Sequence, residues 1–229
     1  VDPAFTISAM TACASITLVR HGETVGESSI RYHGANDVAL SELGRNQMQR
    51  VGNALAQERF DLVLTSTLQR STEAAQLIAP AATKRALRGF DEVDFGAWEG
   101  LTAAEIEARD PQRFRAWRAD FTAFTYPDGD SVRGFRERVA ATMAAELPQL
   151  PDRTLIVVHK GVIASIVAFL LGRDLGERMG APIDLGSSHV LERGAESWRL
   201  ICGHATAPLD GRRTRASRSP PMVAACSPG

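Results

Sequence analysis

The first run of apolar and β-branched residues, Ile16–Val19, is too short for a helix and stops at Arg20-His21-Gly22. Such a run, closed by a turn signal, predicts a strand buried on both faces. Two later runs behave alike. Asp61–Leu64 predicts a short buried strand ending in Thr65-Ser66, and Thr154–Val158 predicts a third, ending in His159-Lys160-Gly161. Between them the apolar spacing takes the helical period. Ser41 caps a helix from about Glu42 to Glu58, with Val51 and Leu55 on one face. Arg70 opens a second helix that carries Ala74, Leu77 and Ile78 before Pro80 stops it. Thr102 and Glu105 form a capping-box pattern that opens a short helix. Asp130 or Ser131 caps a helix over about Val132–Leu147, with Phe135, Val139 and Met143 inward, and Val162–Leu171 reads as a core helix. Val190–Leu191 and Trp198–Ile201 predict a late hairpin. Strands alternating with helices predict an α/β fold, a three-layer sandwich with a mostly parallel central sheet and helices on both faces.

Composition narrows the function classes. The 229 residues suit one large domain, and no internal repeat or linker interrupts residues 14–206. The expected organisation is a cloning remnant at 1–9, a domain over 10–206 and a disordered tail at 207–229, where Arg, Ser and Pro replace apolar periodicity. Lys and Arg number 26 against 27 Asp and Glu, a net charge of −1. That balance points away from nucleic-acid and membrane partners, so any anion site must be a local cluster of positive charge. Three scattered cysteines argue against a disulfide framework and for a reducing compartment, the cytoplasm. No Cys/His spacing suggests zinc. The longest apolar run is too short to span a bilayer.

Candidate chemistry sits at the strand ends. Open α/β sheets bind ligands at the carboxyl edge of their strands, and three such ends deliver Arg20-His21, Arg70 and His159. Two guanidiniums and two imidazoles suit a phosphoryl group, because arginine offers a planar fork to phosphate oxygens. With that much fixed positive charge no metal or other cofactor is expected. The segment Phe90–Gly100 mixes acids, aromatics and glycines without periodicity, a composition unusual for a plain connector. Phe114, Trp117, Phe121, Phe124 and Tyr126 read mainly as packing, with one or two bordering a substrate pocket.

These residues carry a family resemblance. Leu18-Val19-Arg20-His21-Gly22-Glu23-Thr24 resembles the signature of the histidine phosphatase superfamily, with its phosphoglycerate mutase-like fold. The match continues through Arg31, His33-Gly34, Asp37, Leu40-Ser41-Glu42, Gly44, Thr65-Ser66 and Arg70, then Glu92–Gly100, Gly129–Ser131, Arg138 and Val158–Val162. The resemblance implies a two-step mechanism through a phosphohistidine. His21 is then the nucleophile, and Arg20, Arg70 and His159 hold the phosphoryl oxygens. Glu92 is the general acid and base with a raised pKa, preferred over Asp91 and Asp94. Thr24, Lys160 and Gly161 are further candidates for phosphate or substrate contact. Asp94 and Glu99 are expected to hydrogen-bond within their loop.

Two positions depart from the family pattern. Glu27 stands where the family often has an asparagine that contacts phosphate; a carboxylate cannot donate, so either it points away or Ser28 or Ser29 substitutes. Lys160 replaces the first glycine of a His-Gly-Gly pattern and suggests substrates with a second anionic group, the alternative being a solvated or paired lysine. The short segment after Glu92 favours hydrolysis of a small phosphorylated metabolite. The alternatives are a phosphoglycerate-type mutase and a non-catalytic phosphate-binding module. Specificity is expected in residues 103–130 and 25–36, with Phe114, Trp117, Phe121 and Tyr126 the first to inspect. The oligomeric state, monomer or dimer, is left open.

Overall fold

A computed structural model of the chain describes residues 13–174 and 182–204. The expected remnant at 1–9 and tail at 207–229 lie outside these residues. Six strands form one sheet: β1 (Ser15–Arg20), β2 (Leu62–Thr65), β3 (Thr83–Ala86), β4 (Arg153–Val158), β5 (Ser188–Arg193) and β6 (Trp198–His204), in the order β3-β2-β4-β1-β5-β6. The β3/β2, β2/β4 and β4/β1 pairs are parallel. The β1/β5 and β5/β6 pairs are antiparallel, so the predicted late hairpin closes one edge of an otherwise parallel sheet.

The period-two rule explains why the central strands read as unbroken apolar runs. In β1, Ile16 and Leu18 join one core cluster and Val19 the other; in β4, Ile156 and Val158 oppose Leu155 and Val157. One face is covered by α1 (Glu42–Ala54) and α2 (Gln69–Ile78), through Met48, Val51, Ala74, Ala75 and Ile78. The other is covered by α5 (Val132–Glu146) and α6 (Lys160–Leu170), through Phe135, Val139, Met143, Ile163 and Ile166. Two short helices, α3 (Ala103–Arg109) and α4 (Pro111–Ala119), extend that second layer. The three-layer architecture is the expected one.

The predicted caps form. Ser41 Oγ accepts from the Gly44 N–H at 3.1 Å, Thr102 and Glu105 complete a capping box, and Ser131, not Asp130, caps α5 through the Gly134 N–H. Three boundaries differ from expectation. Helix α1 ends at Ala54 instead of Glu58, where Gly52 and Asn53 weaken the last turn. Strand β3 has no apolar signal, because this exposed edge strand carries Lys84 and Arg85. Helix α6 begins at Lys160 instead of Val162, so a single residue, His159, separates it from β4.

Candidate active site

The register aligns the carboxyl ends of three neighbouring strands. Arg20 pairs with Val158, and Thr65 pairs with Val157. His21 and His159 are each the next residue beyond a paired strand end, so they become neighbours across the sheet. Their rings lie 5.1 Å apart, edge to face, and the His21 N–H donates to the Val158 carbonyl at 3.0 Å. The turn after His21 needs Gly22, because a Cβ there would stand 2.5 Å from the Gly44 carbonyl oxygen at the start of α1.

Each charged or titratable group at this edge is tied at one end. His21 is 4% exposed, and its Nδ1 lies 2.7 Å from the Gly22 carbonyl oxygen. A carbonyl only accepts, so Nδ1 carries the proton and Nε2 keeps its lone pair. Burial, then the Arg70 and Arg20 guanidiniums, hold the His21 pKa well below its usual 6.5, which keeps the ring neutral. Arg20 donates from Nη1 to the Ile183 carbonyl at 2.8 Å. Arg70 is fully buried and clasps the loop 33–36: Nη1 donates to Asn36 O at 2.7 Å, and Nη2 to Gly34 O at 2.7 Å and His33 O at 3.2 Å. His159 meets Ser66 Oγ through Nε2 at 2.7 Å, and burial with nearby Arg70 also pushes its pKa well below 6.5. Among the described residues, Arg20 Nε, Arg70 Nε and His159 Nδ1 are buried without a partner. An unpartnered buried Nδ1 also occurs at His33, which borders the same cavity, and at His189 on β5.

Glu92 is the acid of its block that reaches the cavity. It is 8% exposed; Oε2 accepts from the Gly161 N–H and Oε1 from the Val93 N–H, each at 3.0 Å. Burial raises its pKa against the opposing pull of those donors and of Arg70 and Arg20. Its neighbours are committed elsewhere. Asp91 accepts from the Thr67 backbone and hydroxyl at 2.7–2.8 Å. Asp94 accepts from the Gly96 N–H at 2.8 Å, and Glu99 binds the backbone N–H groups of Gly34, Ala35 and Phe95.

A cavity of about 440 Å³ opens above Arg20, His21 and Glu92. Arg70 and His159 lie buried beside these groups and contribute no surface to it. Lys160 does line it and is exposed, and its side chain makes no hydrogen bond or ion pair among the described residues. Thr24 stays off the wall: its N–H is taken by Glu23 and its hydroxyl meets Ser28 Oγ at 2.5 Å, while Ser28 and Ser29 face the cavity. Glu27 points away and pairs with Arg31 at 3.3 Å. The aromatic wall is Tyr32 and Phe95. Of the aromatics singled out in the sequence, Trp117 and Tyr126 pack behind that wall, with Phe95–Tyr126 at 5.0 Å and Tyr32–Trp117 at 6.3 Å; neither they nor Phe114 and Phe121 line the cavity. Sequence reasoning gave no role to Ser66 or Asp184. The position of Ser66 directly beyond a buried strand end was the available signal. Asp184, which lines the cavity, belongs to an irregular segment and carries no motif.

Known proteins resemble this chain in sequence and in fold. The family model described as histidine phosphatase superfamily (branch 1) matches residues 16–204. A bifunctional protein of Mycobacterium tuberculosis is 33% identical over 193 residues, covering 81% of this chain and 53% of its own length. The chain therefore spans about half of that relative. The Mycobacterium tuberculosis glucosyl-3-phosphoglycerate phosphatase is 33% identical over 168 residues, 68% of this chain and 74% of its own. The crystal structure of the α-ribazole phosphatase from Shigella flexneri superposes with a TM-score of 0.74 at 26% identity, covering 82% of this chain and 94% of that one. With the family model spanning the whole sheet and every strand end described above, the chain belongs to the histidine phosphatase superfamily.

Proposed function

We propose that this chain is a phosphomonoesterase that hydrolyses a small phosphorylated metabolite through a phosphohistidine at His21. The observation that carries this reading is the set of buried donors with nothing to bond: Arg20 Nε, Arg70 Nε and His159 Nδ1. An unpaired buried donor costs about 1–3 kcal/mol. A phosphoryl group seated against His21, deeper than the open cavity, would bring acceptor oxygens to these neighbouring donors, and the two guanidiniums match its charge. The reading needs no metal ion or other cofactor.

In the first step His21 Nε2 attacks phosphorus and the bond to the leaving oxygen breaks. Glu92, whose pKa burial raises, gives that oxygen its proton. In the second step water attacks the phosphohistidine, the Glu92 carboxylate takes the water proton, and the P–N bond breaks to release phosphate and neutral His21. Charge developing on the equatorial oxygens meets donors that are already in place.

The leaving-group side of the cavity combines the Tyr32 and Phe95 rings, the Ser28 and Ser29 hydroxyls, Asp184 and the free cation of Lys160. This lining suits a hydroxylated or ring-bearing leaving group with a negative charge of its own. The named relatives act on glucosyl-3-phosphoglycerate and α-ribazole phosphate, and phosphorylated metabolites of that kind are the substrates proposed here. Charged phosphoesters do not cross bilayers unaided, so the cytoplasm is the proposed location; no helix of the described residues is long and apolar enough to cross a membrane.

The test is hydrolysis of p-nitrophenyl phosphate with EDTA present, wild type beside His21→Ala. Wild-type turnover that the substitution abolishes supports the reading. Equal turnover in both removes His21 as nucleophile, and loss of wild-type turnover on chelation removes the metal-free mechanism.

A further inference from the structure

The proposed mechanism brings two neighbouring histidines to one phosphoryl group and asks opposite things of them. His21 must show a lone pair, and His159 must show an N–H. We infer that Ser66 sets this difference, by fixing the tautomer of His159.

Every hydrogen around Ser66 can be followed. The Ser66 N–H donates to Ser71 Oγ at 3.0 Å, and the Ser71 hydroxyl donates in turn to the Val157 carbonyl at 2.6 Å. Ser66 is thereby fastened between α2 and β4. Its own Oγ accepts from the Leu68 N–H at 3.2 Å. Ser66 is 0% exposed, so its hydroxyl hydrogen cannot turn to water, and its other neighbour is His159 Nε2 at 2.7 Å. If the ring donated to Ser66, the hydroxyl hydrogen would be buried with no acceptor, and Nδ1 would carry a lone pair, unable to donate to the phosphoryl group as the proposed mechanism requires. If Ser66 donates, both faults vanish. Nε2 then accepts, and a neutral ring carries its proton on Nδ1. That Nδ1 is the buried atom with no protein partner.

The Leu68 N–H, the Ser66 hydroxyl and the His159 ring therefore form a directional relay that ends in the unpartnered Nδ1–H, the donor that the proposed mechanism gives to the phosphoryl group. His21 is set in the same tautomer by the Gly22 carbonyl, but there the tied atom is Nδ1. Both rings carry the proton on Nδ1. One buries it against the backbone and presents Nε2; the other presents it. Ser66 touches no substrate and is a positioning residue. The inference rests on the reading that His159 holds the phosphoryl group, and its test separates the two.

The primary test is ¹⁵N NMR of histidine-labelled protein above pH 7, with the His159 signals assigned by their loss in His159→Gln. The expected wild-type pattern is Nδ1 protonated and Nε2 bare, both free and with vanadate bound. In Ser66→Ala the proton shifts toward Nε2, and kcat/KM falls about 10- to 100-fold, less than or equal to the loss of one oxyanion donor. Ser66→Thr keeps the hydroxyl and restores the nitrogen pattern and part of the rate. A wild type with Nε2 protonated overturns the inference whatever the variants do. So does a folded Ser66→Ala that keeps the wild-type pattern or the wild-type kcat/KM. A wild type with the expected nitrogen pattern but no phosphatase activity would instead sink the functional reading and leave the tautomer assignment standing.

Discussion

Gly161 is the residue through which the backbone of α6 seats Glu92, the proposed general acid, and Gly161→Ala is the perturbation that tests this most directly. The glycine N–H donates to Glu92 Oε2 at 3.0 Å, and a Cβ on the same residue would stand 2.6 Å from Oε1 and 3.0 Å from Phe135 Cε1. Ordinary contact begins near 3.4 Å, so the carboxylate must retreat by about 0.8 Å, the difference between 3.4 and 2.6. It has little room to do so, because Oε1 is also held by the Val93 N–H at 3.0 Å and Phe135 closes the other side. A displacement near 1 Å in a reacting group costs on the order of 100-fold in rate. Alanine in place of glycine favours the helix by up to about 1 kcal/mol, so the fold itself is expected to stand. The assay is kcat/KM on two phosphomonoesters, since that ratio reports the steps up to the phosphohistidine. An alkyl phosphate, whose alcohol needs a proton to leave, should lose about 100-fold. p-Nitrophenyl phosphate, whose phenolate leaves unaided, should lose less than about fivefold. Equal losses on both substrates would refute the reasoning, since the methyl would then be disturbing the phosphoryl pocket and not the acid.

Three other outcomes are expected. Glu99→Ala removes the carboxylate that gathers the N–H groups of Gly34, Ala35 and Phe95, and so loosens the loop whose carbonyls Arg70 clasps; chemical denaturation should show a loss of about 2–3 kcal/mol and kinetics a raised KM. Lys160→Gln should lower the preference for 3-phosphoglycerate over glycerol 3-phosphate, read as a ratio of kcat/KM, by about fivefold at low salt and less at high salt. His21 and His159 have folded pKa values depressed well below 6.5, so their neutral forms contribute full stability above pH 6.5. As pH falls below that value the unfolded chain takes up two protons the folded one refuses, and stability should drop by up to about 2.7 kcal/mol per pH unit, from two groups at about 1.36 each. Raised Glu92 works in the opposite sense and returns part of that loss on acidification. Urea midpoints at pH 7.5 and 5.5 check the slope, which His159→Gln should roughly halve.

What the sequence made legible was the part of the molecule built from strong local patterns. Strands β1 and β4 are buried on both faces, so their apolar runs are unbroken and their ends are marked by Arg20-His21-Gly22 and His159-Lys160-Gly161. Capping residues placed α1, α3 and α5 to within a few residues, because a side-chain oxygen three positions before a free N–H is a local event. Strand β3 was invisible, since an edge strand of Thr-Lys-Arg-Ala is polar for the same reason that it is at the edge. The wall of the cavity was misassigned for a related reason. Phe114 and Trp117 lie at helical spacing and pack inward, whereas Tyr32 and Phe95 belong to irregular segments with no period to read, and these are the ones that line the cavity. The departures were better bounded. Glu27 could not donate to phosphate, and the structure turns it toward Arg31 and brings Ser28 and Ser29 to the cavity in its place.

The roles of the two histidines mark where sequence reasoning gives way to geometry. Both follow a buried strand directly, and both are pushed toward the neutral form by burial and by Arg70. Nothing in residue type separates nucleophile from donor. The separation arises from which nitrogen is tied: Nδ1 of His21 by a carbonyl one residue on, Nε2 of His159 by a hydroxyl brought from a different strand end. The first tie is local, and the turn at Gly22 makes it wherever that turn is folded. The second exists only because β2 and β4 are adjacent and in register, with Thr65 opposite Val157. A slip of one residue between these strands would turn Ser66 to the opposite face and free the His159 ring. The register of the parallel sheet therefore does more than gather the charges at one edge. In the proposed mechanism it decides which histidine attacks and which one holds.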